Sequence, residues 1–361
     1  MKKNISSVIG LFAVSMLALS ACGSDSPADG EDDAANGADT ANENDDADTA
    51  EDADDADTAD GDDAEAADDS GELTEITVGV LPIAPSVGIY YGIENGVFEE
   101  HGLDVELSTS NAGAAMLPAV NAQQLEFAIG NPQSVLNAHD RGLDMRIVTG
   151  YSNSLAEGDD IAGVVTTADS GIDDWPDLAG HTVSINALQT QGDLTIMEAV
   201  ESAGGDPEAV NFSEMPFPDM EAQLEQGNTD AIWVPEPFLS RALSSDDYEL
   251  VGYSFQDAIP GMPTMVSFSS GEYVDENPEV AQAFSDAMNE ALQMAEDDPD
   301  GTRALLPEFI DLPEEAAENL RMEELDGELR TDQLEDSGEL MVKFGFINDE
   351  PDFSTIYFDS E

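Results

Sequence analysis

The sequence predicts an α/β protein of two lobes with a ligand cleft between them. Three observations predict it. From residue 74 onward, apolar runs of strand length alternate with amphipathic runs of helix length, the pattern of a parallel sheet with helices on its faces. The alternation reaches residue 150 and begins afresh at 161, which makes two units of it. Two strand-like runs, 161–167 and 265–269, stand where the chain would cross between the units.

Each element has a local reason. Residues 74–81 (TEITVGVL) alternate polar and apolar and stop at Pro82, which reads as a strand. Residues 86–100 read as a helix closing at His101-Gly102, the glycine suiting the left-handed position after a helix. A strand at 104–108, a helix at 116–124, a strand at 127–130, a helix at 134–140 ended by Arg141-Gly142, and a strand at 145–150 follow. After the crossing strand at 161–167 come a turn at 177–180, a strand at 181–186 and a helix at 192–203 closed by Gly204-Gly205. Next are a helix at 219–226, a strand at 231–234, a helix at 238–244 and a strand at 249–255. Beyond the strand at 265–269 and Asn277-Pro278 the chain reads as helical, most clearly over 279–296. Residues 73–160 and 266–361 are therefore assigned to lobe I, and 161–265 to lobe II.

The chain ahead of residue 73 is of another kind. Lys2 and Lys3 precede an apolar run over 5–19, too short for a comfortable span and matching a signal-peptide core. Leu19-Ser20-Ala21-Cys22 resembles a bacterial lipobox. That resemblance makes 1–22 a lipoprotein signal peptide and Cys22 the lipid-bearing mature N-terminus, two acyl chains sufficing for stable anchoring. An ordinary cleavage site beside an incidental cysteine is the alternative. With no arginine pair the general secretory route is expected, and no later run reaches the length of a span. Residues 24–72 hold 22 acidic residues, no basic residue, and no aromatic or branched aliphatic side chain. Such a stretch cannot offset its ordering entropy by burial, and like charges extend it, so 23–72 reads as a disordered tether. Its acidic runs are not calcium loops, because Pro27 and Thr58 stand where ligands are needed.

Charge and composition exclude whole classes. A net charge of −72 over 361 residues excludes a nucleic-acid binder. A single cysteine excludes a disulfide framework and Cys-based metal sites. Residues 73–361 carry 59 acidic against 7 basic residues, with Lys343 the one lysine. That surface reads as adaptation to molar salt, where screening shortens to roughly 3 Å. Salt would hide the charge from an arriving solute, so net charge says nothing about what the cleft prefers.

Two motifs carry a resemblance. Tyr91-Gly92-Ile93-Glu94-Asn95-Gly96-Val97-Phe98, with His101-Gly102-Leu103-Asp104-Val105 after it, is one; Gly227-Asn228-Thr229-Asp230-Ala231-Ile232-Trp233-Val234-Pro235-Glu236-Pro237-Phe238 is the other. Over about 76–310 the chain resembles the NMT1/THI5-like family, the solute-binding proteins of ABC importers for nitrate, sulfonate, taurine and thiamine pyrimidines. The resemblance implies a type II periplasmic-binding-protein fold whose lobes close on a small-molecule solute. It implies permease and ATPase subunits as partners, a monomer anchored to the membrane outside the cytoplasm through Cys22, and no cofactor.

Open α/β sheets bind ligands beyond the carboxyl ends of their strands, where helix N-termini present N–H donors. In lobe I that places Pro85-Ser86, 111–113 with Gly113, Asn131, Gln133 and Ser134, and Tyr151 among the candidates. In lobe II it places Asn186, Gln189 and Thr190. Asn131 and Ser134 serve equally as plain helix caps. Glu236, in a Pro-Glu-Pro turn, is expected at the lobe II rim of the cleft, a candidate acceptor for an amino group or a brace of the turn. Trp233 lies within a strand, where core packing competes with stacking on a flat solute. Met215, Met220, Met262 and Met265 offer an apolar wall, though core packing is their ordinary role. The two helix N-termini, at 131–134 and 189–192, are expected to face each other across the cleft with free N–H groups. No arginine falls on a cleft loop, which favours a nitrogen-containing organic solute over an anion. No G-x-S-x-G, H-E-x-x-H, phosphate loop or cysteine cluster is present, so no enzyme is expected. A biosynthetic enzyme of the same superfamily, or a surface protein without a transport role, is the alternative.

Overall fold

The computed structural model describes residues 73–358, so the leader, Cys22 and the tether lie outside the described residues. Lobe I begins with β1 (Thr74–Val80), α1 (Val87–Glu94), α2 (Val97–Glu100), β2 (Leu103–Thr109), α3 (Gly113–Asn121), β3 (Phe127–Gly130), α4 (Pro132–Asp140) and β4 (Met145–Asn153). The chain then builds a second sheet through β5 (Ala162–Thr167), β6 (Thr182–Ile185), α5 (Gln191–Ser202), β7 (Asn211–Glu214), α6 (Phe217–Glu225), β8 (Ala231–Pro235), α7 (Phe238–Leu243), β9 (Tyr248–Gly252) and α8 (Ser254–Ala258). It returns as β10 (Pro263–Ser270) and ends in α9 (Gly271–Glu276), α10 (Pro278–Asp297), α11 (Pro299–Ile310), α12 (Glu314–Glu318), β11 (Glu324–Leu325) and α13 (Thr331–Lys343).

The first sheet has the order β11-β4-β10-β3-β1-β2, the second β7-β6-β8-β5-β9. Both are mixed, where alternation alone predicts parallel sheets. The returning strand β10 inserts antiparallel between β3 and β4, and β5 runs antiparallel to β8 and β9. A strand arriving from another lobe enters a sheet from its far end, so periodicity within the strand carries no sign of its direction.

Three local differences have local causes. The helix expected over 86–100 breaks at Gly96, whose φ of +75° only a residue without Cβ adopts freely. The strand expected over 249–255 ends at Gly252, and Ser254–Ala258 turns helical, with Asp257 accepting the Trp175 indole N–H at 2.8 Å. The edge strand β7 (NFSE) lacks apolar alternation and is missed by pattern, as is the two-residue β11.

The main core of lobe I lies between its sheet and α10. Phe284, Met288 and Leu292 recur at helical spacing and are fully buried, each worth about 1.5–3 kcal/mol of burial. Phe284 stacks on Phe127 of β3 with ring centroids 3.9 Å apart. Among the described residues no helix is long and apolar enough to cross a membrane.

Candidate functional site

A narrow cavity opens where the carboxyl ends of the two sheets meet. Lobe I contributes Leu81, Ile83 and Pro85 beyond β1, Asn131 beyond β3 and Glu323 just before β11, and Thr264 and Met265 come from the start of β10, which the structure pairs into the first sheet although the sequence bounds place them in lobe II. The other wall is Asn186 beyond β6, Gln191 at the start of α5, Phe217 of α6, Trp233 and Pro235 of β8, and Phe255 of α8, with Ile161 on the crossing. The volume is about 40 Å³, room for roughly three waters; a larger solute requires the lobes to separate. A wider hollow of about 630 Å³ lies on the outer surface beside His101 and α10, but lobe I alone lines it.

The candidates divide sharply. Asn131, Asn186 and Trp233 line the cavity. Trp233 packs between Phe217 and Phe255 and donates its indole N–H to Ser254 Oγ at 3.1 Å. Gly113 sits behind the wall, where an added Cβ would stand 3.3 Å from Gly130 Cα and 3.4 Å from Asn131 N. Ser86 is fully buried, its Oγ without a partner among the described residues. Tyr151 is core, its hydroxyl accepting the Ile89 N–H at 3.0 Å. Gln133 points to α13 and donates to Ser337 Oγ at 3.2 Å. Met265 alone of the four methionines lines the cavity.

The expected helix N-termini are partly occupied by their own caps. Asn131 Oδ1 takes both the Ser134 N–H and the Ser134 hydroxyl, at 2.8 and 2.9 Å. The Asp193 carboxylate takes the Gln189 and Thr190 N–H groups at 2.6 and 2.9 Å, and the Thr190 hydroxyl donates to Ala187 O. These donors are spent before any solute arrives. Gln189 reaches lobe I on its own account. Its carbonyl accepts from Asn137 Nδ2 at 3.0 Å, and its Oε1 from Arg141 Nη2 at 2.9 Å. Arg141 therefore faces the other lobe, where its place at the end of α4 predicts it away from the cleft.

Glu236 is not at a rim. It is fully buried, with Oε1 accepting the Ser240 hydroxyl at 2.7 Å and Oε2 the Ser240 N–H at 3.0 Å. Arg321 stands 4.0 Å from it and also meets the Asp160 carbonyl and the Tyr253 hydroxyl. An arginine late in the chain thus serves the junction of the lobes, which no local pattern announces. Burial raises the Glu236 carboxyl above its ordinary range, and Ser240 and Arg321 oppose the rise.

Glu323 is the residue that sequence reading missed. It is 5% exposed and borders the cavity. Thr264 Oγ1 donates to its Oε2 at 3.0 Å. Burial pushes its carboxyl up to about 8, with the charge of Asp160 adding and the Ser152 and Thr264 hydroxyls opposing. Asp160, on the crossing from β4 to β5, is pushed up to about 6, again by burial first. Its Oδ1 accepts from Leu155 and Ile161, and its Oδ2 has no partner among the described residues.

Two lobes, each on a mixed sheet, meeting at strand ends around one cavity define the class: a two-lobed protein of the periplasmic-binding fold. The NMT1/THI5 like family model matches residues 84–302, and the chain belongs to that family. The formylaminopyrimidine-binding protein of Halalkalibacterium halodurans is 26% identical over 235 residues, 63% of this chain and 68% of that one. Among solved structures, the periplasmic aliphatic sulphonate binding protein SsuA of Escherichia coli superposes with a TM-score of 0.63 at 16% identity, covering 78% of this chain and 96% of that one. The periplasmic nitrate-binding protein NrtA of Synechocystis PCC 6803 gives 0.66 at 15% identity, covering 79% and 86%. Both of these structural neighbours are periplasmic binding proteins.

Proposed function

We propose that this chain is the extracytoplasmic solute-binding component of an ABC importer. It captures a small polar, nitrogen-containing organic solute as residues 161–265 close on 73–160 and 266–361, and it hands the solute to permease and ATPase subunits. It works as a monomer, held to the membrane by a lipid on Cys22 and spaced from it by 23–72. The observation that carries the reading is the cavity lined from both lobes at the carboxyl ends of β1, β3, β6 and β8, where sheets of this kind bind ligands. The aromatic and amide lining suits binding.

A thermal-shift screen in molar salt with aminopyrimidines, alkanesulfonates and nitrate tests this. Binding at a hundredfold excess over Kd adds about 2.7 kcal/mol, an easily read shift. Absence of any shift across the panel, or conversion of a bound compound to product, sinks the reading. The anchor has its own test: a Cys22→Ser chain should be released from membranes or keep its leader, and its recovery as a processed membrane protein would refute the lipid.

A further inference from the structure

The lobe I wall of the cavity ends in a carboxyl group that the protein does not fully satisfy. Glu323 Oε2 accepts from Thr264 Oγ1 at 3.0 Å, a hydroxyl that also donates to Ser152 O at 3.0 Å, and the Ser152 hydroxyl, 2.8 Å from Thr264 Oγ1, is the other neutral group beside the carboxyl. Among the described residues no hydrogen bond reaches Glu323 Oε1. The groups facing it bring no positive charge: Asp160, and the Tyr151 phenol, whose ionisation burial and Glu323 together oppose. Arg321, two residues earlier, turns away to Asp159, the Asp160 carbonyl and Tyr253. A buried carboxyl so placed is costly unless something completes it.

The opposite wall offers aromatic faces, with few spare donors. The Trp233 N–H is taken by Ser254, Gln191 Nε2 donates to Pro263 O at 3.2 Å, and Asn186 Nδ2 donates to Asn111 O at 3.4 Å. No lysine, arginine or histidine lines the cavity. An anion enclosed here would meet the Glu323 carboxyl and no counter-charge. A flat cation would meet aromatic faces that attract it and an empty carboxylate oxygen for its N–H groups.

We propose that Glu323 is the specificity-determining residue of this cleft, admitting a planar cationic solute that carries N–H donors, of the amidinium or protonated aminoheterocycle class, and excluding anions. The inference rests on the reading of the cavity as the solute site.

Benzamidine, benzamide and benzoate are alike in size and differ in charge. Calorimetric titration of the protein in molar salt near pH 7.5 should find benzamidine at least about tenfold tighter than benzamide, with benzoate not binding. Glu323→Gln keeps the size and the Thr264 contact and removes the charge. It should weaken benzamidine about ten- to a hundredfold and leave benzamide within about threefold. Benzamidine affinity of the unaltered protein should rise from pH 6 to 8, as Glu323 gives up its proton to pair with the cation; Asp160, which titrates lower, adds to the rise near pH 6. Benzoate, a sulfonate or nitrate binding more tightly than benzamidine overturns the proposal and leaves the solute-binding reading intact. So does an unchanged benzamidine affinity in Glu323→Gln, or a flat pH profile. Silence of every probe, aminopyrimidines, sulfonates and nitrate included, removes both. The charge series and the pH profile need no variant, so a misfolded Glu323→Gln would not shelter the idea.

Discussion

Two buried glutamates sit at the junction of the lobes, and their surroundings part their roles. Glu236 has a complete set of partners: a backbone N–H and a hydroxyl from Ser240, one to each oxygen, with Arg321 nearby. Glu323 has only neutral hydroxyls, of Thr264 and Ser152, and an acidic neighbour. The first is finished by its own turn and braces it. The second is left open on the one side where the cavity lies. Burial alone does not distinguish them, since both are buried; the kind of donor and the sign of the neighbouring charge do.

The comparison breaks most visibly if Glu236 is removed. Glu236→Ala leaves the Ser240 N–H and hydroxyl unpaired and takes one carboxylate from beside Arg321, and should cost about 3 kcal/mol, read by denaturant unfolding in molar salt. A loss under about 1 kcal/mol would mean the turn does not depend on it. Glu323 predicts the next effect, through pH. Its folded carboxyl titrates near 8 and its unfolded one near 4.5. The folded state holds the extra proton between those values, so stability falls as pH rises through that window and levels off above it. From pH 6 to 8 the loss should be roughly 2 kcal/mol, and Glu323→Gln should remove most of it. A stability curve that Glu323→Gln leaves unaltered would show the carboxyl to be better solvated than its position implies. Asn131→Ala sharpens the contrast from the helix side. It strips the α4 cap and should cost about 1 kcal/mol of stability, whatever it does to solute affinity. The smallest effect is expected at Lys343, which pairs with Glu198 and Glu201 across the lobes from a half-exposed position. Lys343→Met should change stability by less than about 0.5 kcal/mol in molar salt, because exposed pairs are weak and screened; a larger change in melting would mark it as a working clamp.

The sequence by itself determined the strand and helix alternation, the helix stops at Gly102 and Gly142, both left-handed in the structure, and the family motifs around Tyr91 and Trp233. Those features are written in neighbours a few residues apart, so period and turn chemistry expose them. Asn131 and Asn186, two of the sequence's candidates, line the cavity, because both follow strands at the sheet's carboxyl end. Only the tertiary structure decided the direction of β5 and β10, the capping of the Ser134, Gln189 and Thr190 N–H groups by Asn131 and Asp193, and the convergence of Thr264, Glu323 and Arg321 on the junction. A hydrogen-bond donor leaves no mark in a sequence once its acceptor is far along the chain. Glu323 in particular lies in a stretch rich in other acidic residues, and what sets it apart is its burial beside a cavity whose far wall comes from lobe II.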